Sequence, residues 1–175
     1  FVVGRARHAL QRLAPREREQ DIEMHTEVVV SPEDDVELRR TTLRNRSRVR
    51  RTIELTSYAE VVLARPIEDQ LHPAFGKLFV ETELLPAQQA ILATRRPRAE
   101  GEHPPWLCHL MAVHDAKAEG VSYETDRARF LGRGRDVSRP AAMSTPELSG
   151  SAGSVLDPIV AVRCLSSSHV HHVGY

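Results

Sequence analysis

The sequence predicts an all-β protein, built as an antiparallel sandwich of two stacked sheets. Three observations support this prediction. Apolar and polar residues alternate along several segments, turn-forming residues separate these segments, and residues 4–19 are the only stretch suited to a helix. Successive side chains of a strand point to opposite faces, so each alternating segment is expected to bury one face and expose the other.

The alternation places the strands in order along the chain. The longest run covers residues 53–63, where odd-numbered positions are mostly apolar and even-numbered positions mostly polar. Turn-forming clusters, such as 31–35 and 104–105, separate the runs, and residues 136–155, rich in Ser, Pro, Ala and Gly, are expected to form a long loop. The predicted strands are residues 22–30, 36–39, 53–63, 77–84, 90–95, 107–114 and 159–163.

The composition restricts the classes of function. The chain has 24 basic and 24 acidic residues, and this balance disfavours nucleic acid as a partner. No apolar run approaches the roughly 20 residues of a membrane helix, so direct membrane insertion is not expected. The nine histidines lack the paired spacing of a zinc site, and nucleophile and dinucleotide motifs are missing. We therefore expect no catalytic residue, no cofactor and no metal in this chain.

Residues 123–135 are the most distinctive segment, because four arginines are interleaved there with Asp126, two aromatic residues and two glycines. Such a set can grip a sugar, since ring faces stack on aromatics while hydroxyls bond planar polar groups. The same residues can instead lock a loop onto the sandwich, and the residues alone favour neither reading. The candidate sugar contacts are Trp106, Tyr123, Arg127, Arg133 and Arg135.

Two other charged groups receive a simpler interpretation. Arginines between residues 39 and 51 flank a hairpin turn predicted around Asn45, and edge protection is favoured for them over phosphate binding. Glu81 and Glu83 lie two residues apart on one strand face, and a solvated face is favoured for them over a catalytic pair. Cys108 and Cys164 have no motif spacing and are expected to be free thiols.

Several ordered segments resemble a known family. They are similar to the β-supersandwich domain of cyclic β-1,2-glucan synthases, a galactose-mutarotase-like domain shared with the cellobiose and chitobiose phosphorylases of the glycoside hydrolase family 94 type. The resemblance covers residues 21–163, leaving residues 1–20 as an atypical lead-in and 164–175 as an unassigned tail. We therefore expect a sandwich that is incomplete at both ends. The segments that carry the resemblance are 31–40 (SPEDDVELRR), 54–63 (ELTSYAEVVL), 72–75 (HPAF), 77–83 (KLFVETE), 93–98 (ATRRPR), 123–135, 148–150 (LSG) and 155–159 (VLDPI).

The resemblance implies a division of labour within a longer parent protein. In the family the sandwich precedes an (α/α)6 barrel that holds the catalytic carboxylates, and no residue of this chain matches them. The expected function is therefore a non-catalytic, carbohydrate-associated fragment of a glucan-synthesising transglycosylase. Its expected partners are glucan or oligosaccharide and the barrel of the parent chain.

Two alternatives to this function stay open, namely a part of a glycoside phosphorylase and a free-standing carbohydrate-binding module. Whether the chain itself is an enzyme is left open with them. The resemblance also implies a location in the cytoplasm, or at the cytoplasmic face of the inner membrane through the parent protein.

Overall fold

The computed structural model describes residues 12–14, 22–47, 51–97, 99–168 and 170–174. Within these ranges the chain is built mainly from strands, with three short helices, and the predicted all-β class is confirmed. The strands are β1 (Arg12–Ala14), β2 (Ile22–Val30), β3 (Glu37–Asn45), β4 (Arg51–Glu60), β5 (Val80–Leu85), β6 (Ala90–Arg95), β7 (Trp106–Leu110), β8 (Ala112–His114), β9 (Ala118–Asp126), β10 (Gly153–Ser154), β11 (Pro158–Ser168) and β12 (Val170–Gly174). The helices are α1 (Pro66–Leu71), α2 (Pro73–Lys77) and α3 (Arg127–Leu131).

The described strands form three four-stranded sheets, and every pairing between them is antiparallel. The central sheet has the order β1-β4-β11-β9, the outer sheet β10-β5-β6-β7 and the hairpin sheet β2-β3-β12-β8. Only the buried Met111 separates β7 of the outer sheet from β8 of the hairpin sheet. Residues from all three sheets share one apolar cluster, so the outer and hairpin sheets together face the central sheet across the core.

The central sheet is buried on both faces, whereas the alternation of residues 53–63 predicted one face in solvent. The odd-numbered residues of β4, such as Leu55 and Ala59, lie in the main core as predicted. The even-numbered Thr56 and Tyr58 are only 3% exposed, because a second apolar cluster covers that face. This cluster joins Tyr58 to Phe130 of α3 and to Leu148 of the following loop. The prediction of a wet face was therefore wrong for β4.

Arg163 connects the second layer to the central sheet. Its guanidinium is 1% exposed and lies on the same face of β11 as Ile159 and Ala161. Nη2 donates to the Ala142 carbonyl at 2.6 Å and Nη1 to the Thr145 carbonyl at 2.8 Å. Nε lies 3.1 Å from the Thr56 hydroxyl and 3.2 Å from the Glu54 carboxylate. The arginine therefore fixes the 3-10 turn Ala141–Ser144 onto the sheet.

Several local predictions need correction. The turn at Asn45 is not a hairpin turn, because β3 belongs to the hairpin sheet and the next strand, β4, to the central sheet. The arginines of β3 lie on an interior strand and protect no edge. The strand Ala118–Asp126 was missed, and residues 12–14 are strand where a helix was expected, the rest of that helix lying outside the described residues.

The end of the chain also differs from the sequence pattern. The strand β11 continues beyond residue 163 to Ser168, and β12 pairs with both β3 and β8. The assignment of residues 164–175 to a separate tail, like the boundary at residue 20, stays a prediction. Cys108 is exposed and Cys164 is buried, and both are free thiols as expected.

Replacing Arg163 with methionine is expected to lower the free energy of unfolding by about 3–5 kcal/mol. The substitution leaves the Ala142 and Thr145 carbonyls without their buried donor and Glu54 without its partner. Urea unfolding followed by circular dichroism measures the loss. Arg129→Met is the matched control, because that side chain is 63% exposed. Equal effects of the two substitutions would contradict the anchoring role of Arg163.

Candidate functional site

The predicted site segment begins where β9 passes into α3. Asp126 caps this helix, because its Oδ1 accepts the backbone N–H of Ala128 at 2.8 Å and that of Arg129 at 3.4 Å. Phe130 and Leu131 are buried beneath the helix. The cap places Arg127 on the first turn, directly at the end of the central sheet.

Arg127 belongs to a network of ion pairs. Its Nε lies 3.0 Å from Oε1 of Glu60 and its Nη1 lies 3.5 Å from Oδ2 of Asp157. Lys77 of α2 binds the other oxygen of Asp157 at 2.6 Å, and the Tyr58 hydroxyl lies 3.3 Å from Glu60. Burial, with a smaller contribution from the charge of Glu60, raises the pKa of Tyr58 to about 12. The network ties α3 to β4, to α2 and to the segment before β11.

Arg133 and Arg135 lie on an exposed loop after α3. Two glycines, Gly132 and Gly134, shape this loop with φ angles of 79° and 70°, which other residues rarely adopt. Neither guanidinium has a hydrogen bond or ion pair within the ranges that the structure describes. Both charges are therefore available to an external group.

Tyr123 does not form an aromatic surface. Its side chain is 8% exposed and belongs to the main core on the inner face of β9. Burial raises the pKa of its hydroxyl, and its carbonyl accepts the N–H of Gly150 at 2.8 Å. Tyr123 stands two residues after Val121, which also packs on this core, so a period of two through β9 would have placed it inside.

Trp106 lies on a different sheet from the arginine segment. It is 49% exposed on β7, an edge strand of the outer sheet. The strand register places Thr94 directly beside it and Glu81 beside Thr94. Arg96 lies on the same face and donates to Glu81 at 2.6 Å. We call Glu81, Thr94, Arg96 and Trp106 the tryptophan row. Glu81, Thr94 and Arg96 could not be identified as site residues from the sequence, because only the register between strands brings them beside Trp106.

A buried carboxylate holds the loop before β10 in place. Glu124 is 2% exposed and accepts the backbone N–H groups of Thr125 and Asp126, both at 3.0 Å. The hydroxyls of Ser149 and Ser151 also donate to this carboxylate. These bonds satisfy the buried charge without a cation. Glu124 therefore holds the loop in place. This role could not be predicted from the sequence, because the two serine partners lie 25 and 27 residues away.

His109 forms a polar contact between the sheets. Its Nε2 lies 2.8 Å from the hydroxyl of Ser57, which joins β7 of the outer sheet to β4 of the central sheet. Burial, and secondarily the positive charge of Arg39, lower the pKa of His109 to about 4. The imidazole is therefore neutral at physiological pH. Ser57 is 2% exposed, so its hydroxyl is not accessible to a substrate.

Among the described residues, no cluster of three or more His, Cys, Asp or Glu side chains is arranged to bind a metal ion. Within the same part of the chain, no helix is long and apolar enough to cross a membrane.

Comparison with known proteins agrees with this architecture. The family model described as glycosyl hydrolase 94, supersandwich domain, matches residues 4–165. The chain belongs to this family. The resemblance stated from the sequence is thereby confirmed.

This supersandwich domain is similar to a much longer protein, the cyclic beta-(1,2)-glucan synthase NdvB of Rhizobium meliloti (strain 1021). The two are 40% identical over 144 residues, which cover 82% of this chain. The matched region covers 5% of that relative's length.

A methyl group at position 132 is expected to destabilise the supersandwich domain by about 3 kcal/mol. In Gly132→Ala the new Cβ would lie 2.6 Å from Cβ of Ala141, at a φ of 79°. Gly134→Ala is the control, because its φ is 70° but no described atom lies within 4 Å of the new Cβ. It is expected to cost about 1 kcal/mol. Chemical denaturation measures both, and equal costs would contradict the contact with Ala141.

The stability of the supersandwich domain is expected to fall as the pH is lowered from about 6.5 to about 4. The pKa of His109 is depressed in the folded state, so its contribution is complete above pH 6.5 and is lost towards pH 4. The loss attributable to His109 is at most about 3 kcal/mol. Denaturation at a series of pH values measures it. His109→Gln should flatten the slope between these values, whereas the exposed control His103→Gln should not.

Proposed function

We propose that this supersandwich domain is a non-catalytic, carbohydrate-associated part of a cyclic β-1,2-glucan synthase-like protein. The relation to the Rhizobium meliloti synthase supports this proposal, since 40% identity extends over most of the chain. In such a protein, glucan synthesis and transglycosylation take place on other domains. The same relation supports a cytoplasmic location, or one at the cytoplasmic face of the inner membrane through the parent protein.

The use of the carboxylates supports a non-catalytic role. A catalytic acid or base must reach the proton that it transfers, at about 3 Å. Glu124 is buried and saturated by hydroxyl and backbone donors. Glu60 and Asp157 are both bound to Arg127. These acids stabilise the fold and leave no opposed pair facing an open cleft.

The tryptophan row is the surface that we propose for glucan contact, and its geometry carries the proposal. The half-exposed indole of Trp106 offers a flat apolar face on which a pyranose ring can stack. Beside it, the Glu81 carboxylate can accept hydrogen bonds from sugar hydroxyls and the Arg96 guanidinium can donate to them, and these two groups also bind each other at 2.6 Å. Thr94 lies between these groups. The apolar indole face matches the apolar face of a sugar ring, and the paired polar groups match its hydroxyls.

The five predicted contact residues divide into two groups by exposure. Trp106, Arg133 and Arg135 have exposed side chains, and we propose direct contact with glucan for these three. Tyr123 and Arg127 support the surfaces indirectly, because Tyr123 packs in the core and Arg127 holds α3. Direct contact by Tyr123 would require it to leave the core.

The helices α1 and α2 provide the surface that we propose for the catalytic barrel. Their apolar residues point outward, with Ile67, Leu71 and Phe75 exposed by 60%, 65% and 53%. Helices of six and five residues gain little stability alone and depend on packing. Coverage by another domain of the parent chain would supply it.

Trp106→Ala is expected to raise the Kd for a β-1,2-linked glucooligosaccharide about tenfold, because it removes the stacking face. Isothermal titration calorimetry or chemical-shift titration of the full chain measures the affinity. Leu110→Ala is the matched control on the same face of β7, where Leu110 is 44% exposed. Its affinity should equal that of the unmodified chain.

Two outcomes would contradict the proposed contact. The first is no binding of the unmodified chain at millimolar sugar. The second is binding that survives Trp106→Ala but is lost in Arg133→Ala with Arg135→Ala, which would move the contact to the arginine loop.

A further inference from the structure

The edge strand of the hairpin sheet, β2, is open on one side. The strand β2 is nine residues long and pairs with β3 on one side, and within the described residues no strand pairs with its other side. The apolar residues near its end are exposed, with Val28 at 56% and Val30 at 65%. Its alternating sequence predicted burial of Met24, Val28 and Val30, which this chain does not supply by itself.

This edge lacks several of the features that prevent strand pairing. The strand contains no proline and no lysine, and its nine pairs with β3 run from Ile22 to Val30 without a bulge. Such an edge presents a row of backbone donors and acceptors to any strand of matching pattern. We propose that β2 binds β2 of a second copy, in antiparallel orientation, so that two hairpin sheets join into one.

The charges of β2 select one register for this pairing. A two-fold axis that keeps the sheet faces continuous must centre on a residue, and central positions are His25, Thr26 and Glu27. Centred on His25, the pairing would set Glu23 against Glu27 of the second copy. Centred on Glu27, the pairing would set Glu27 of one copy against Glu27 of the other. Like charges directly opposite each other are unfavourable, so both registers are disfavoured.

The register centred on Thr26 opposes no like charges. It leaves Glu23 beside Val29 of the second copy, where Glu23 keeps its ion pair with Arg46. It sets each Glu27 opposite His25 of the second copy, which gives a carboxylate–imidazole pair twice. It also sets Met24 against Val28 and the partly buried Ile22 against Val30 of the second copy, which covers the exposed side chains of Met24, Val28 and Val30. Backbone groups would add about eight to ten hydrogen bonds across the junction.

The self-complementarity of β2 argues for a second copy rather than an unrelated strand. The two-fold axis places Glu27 of each copy opposite His25 of the other, so an antiparallel copy of β2 matches both the charges and the apolar positions of β2. An unrelated strand has no reason to match both. This inference does not depend on the proposed function, since it uses only β2 and its register.

Sedimentation equilibrium of the full chain tests the proposal with two substitutions of His25 that introduce opposite charges. His25→Lys strengthens both pairs with Glu27 and is expected to lower the dimer Kd about fivefold. His25→Glu places one carboxylate opposite each Glu27 and is expected to raise the dimer Kd by a similar factor. His25 faces Thr42 within its own sheet, so neither change opposes a charge on β3.

A double-mutant cycle identifies the partner of His25. In a Glu27→Gln background the gain from His25→Lys should disappear, because the facing carboxylate is gone. The exposed His103→Lys is the charge-matched control and should leave the dimer Kd unchanged. Hydrogen exchange should show slower exchange at β2 in the dimer, with no change at β7, the exposed edge of the outer sheet.

Three outcomes would overturn the proposal. One is a strict monomer at about 0.5 mM chain, a concentration well above a weak dimer Kd. Another is a dimer whose Kd ignores both His25 substitutions. The third is open-ended association in place of a dimer, because a two-fold pairing closes and leaves no further edge of β2.

Discussion

The guanidinium of Arg163 holds together the part of the fold that distinguishes this sandwich from two simple stacked sheets. It lies inside the protein and binds the carbonyls that end the 3-10 turn Ala141–Ser144. A buried cation needs such partners, and carbonyls at the end of a helical turn offer negative potential. With this anchor in place, α3 and its loop cover the second face of the central sheet. The loop that carries Arg133 and Arg135 connects α3 to that turn, so its position depends on the same anchor.

The sequence predicted the fold class because period-two alternation reports directly on strands. It located most strands, but it did not assign them to sheets. The strands β3 and β4 follow each other closely and yet lie in different sheets, which no local pattern indicates. The second face of β4 was predicted to be wet because Thr56 and Tyr58 are polar. Their burial depends on Phe130 and Leu148, which are about 70 to 90 residues away.

The candidate site was predictable only in part. The aromatic and arginine residues were selected by type, and type alone cannot separate an interior tyrosine from a surface tryptophan. Tyr123 and Trp106 show both outcomes, one in the core and one on an open sheet face. The partners of Trp106 emerged only from the register of β5, β6 and β7, since Glu81 and Thr94 are far from it in sequence. A guanidinium and carboxylate that meet across strands leave no signature in the linear chain.

The pairing of β4 with β11 also determines when this protein can fold during its synthesis. These two strands form the middle of the central sheet, and their paired residues are separated by about a hundred positions along the chain. A ribosome must therefore release β11 from its exit tunnel before the middle of the sheet can close. Until then β4 has only the three-residue β1 beside it and its apolar side chains are uncovered, for several seconds at ordinary rates of translation. Nascent-chain chaperones would have their longest opportunity to bind during that interval.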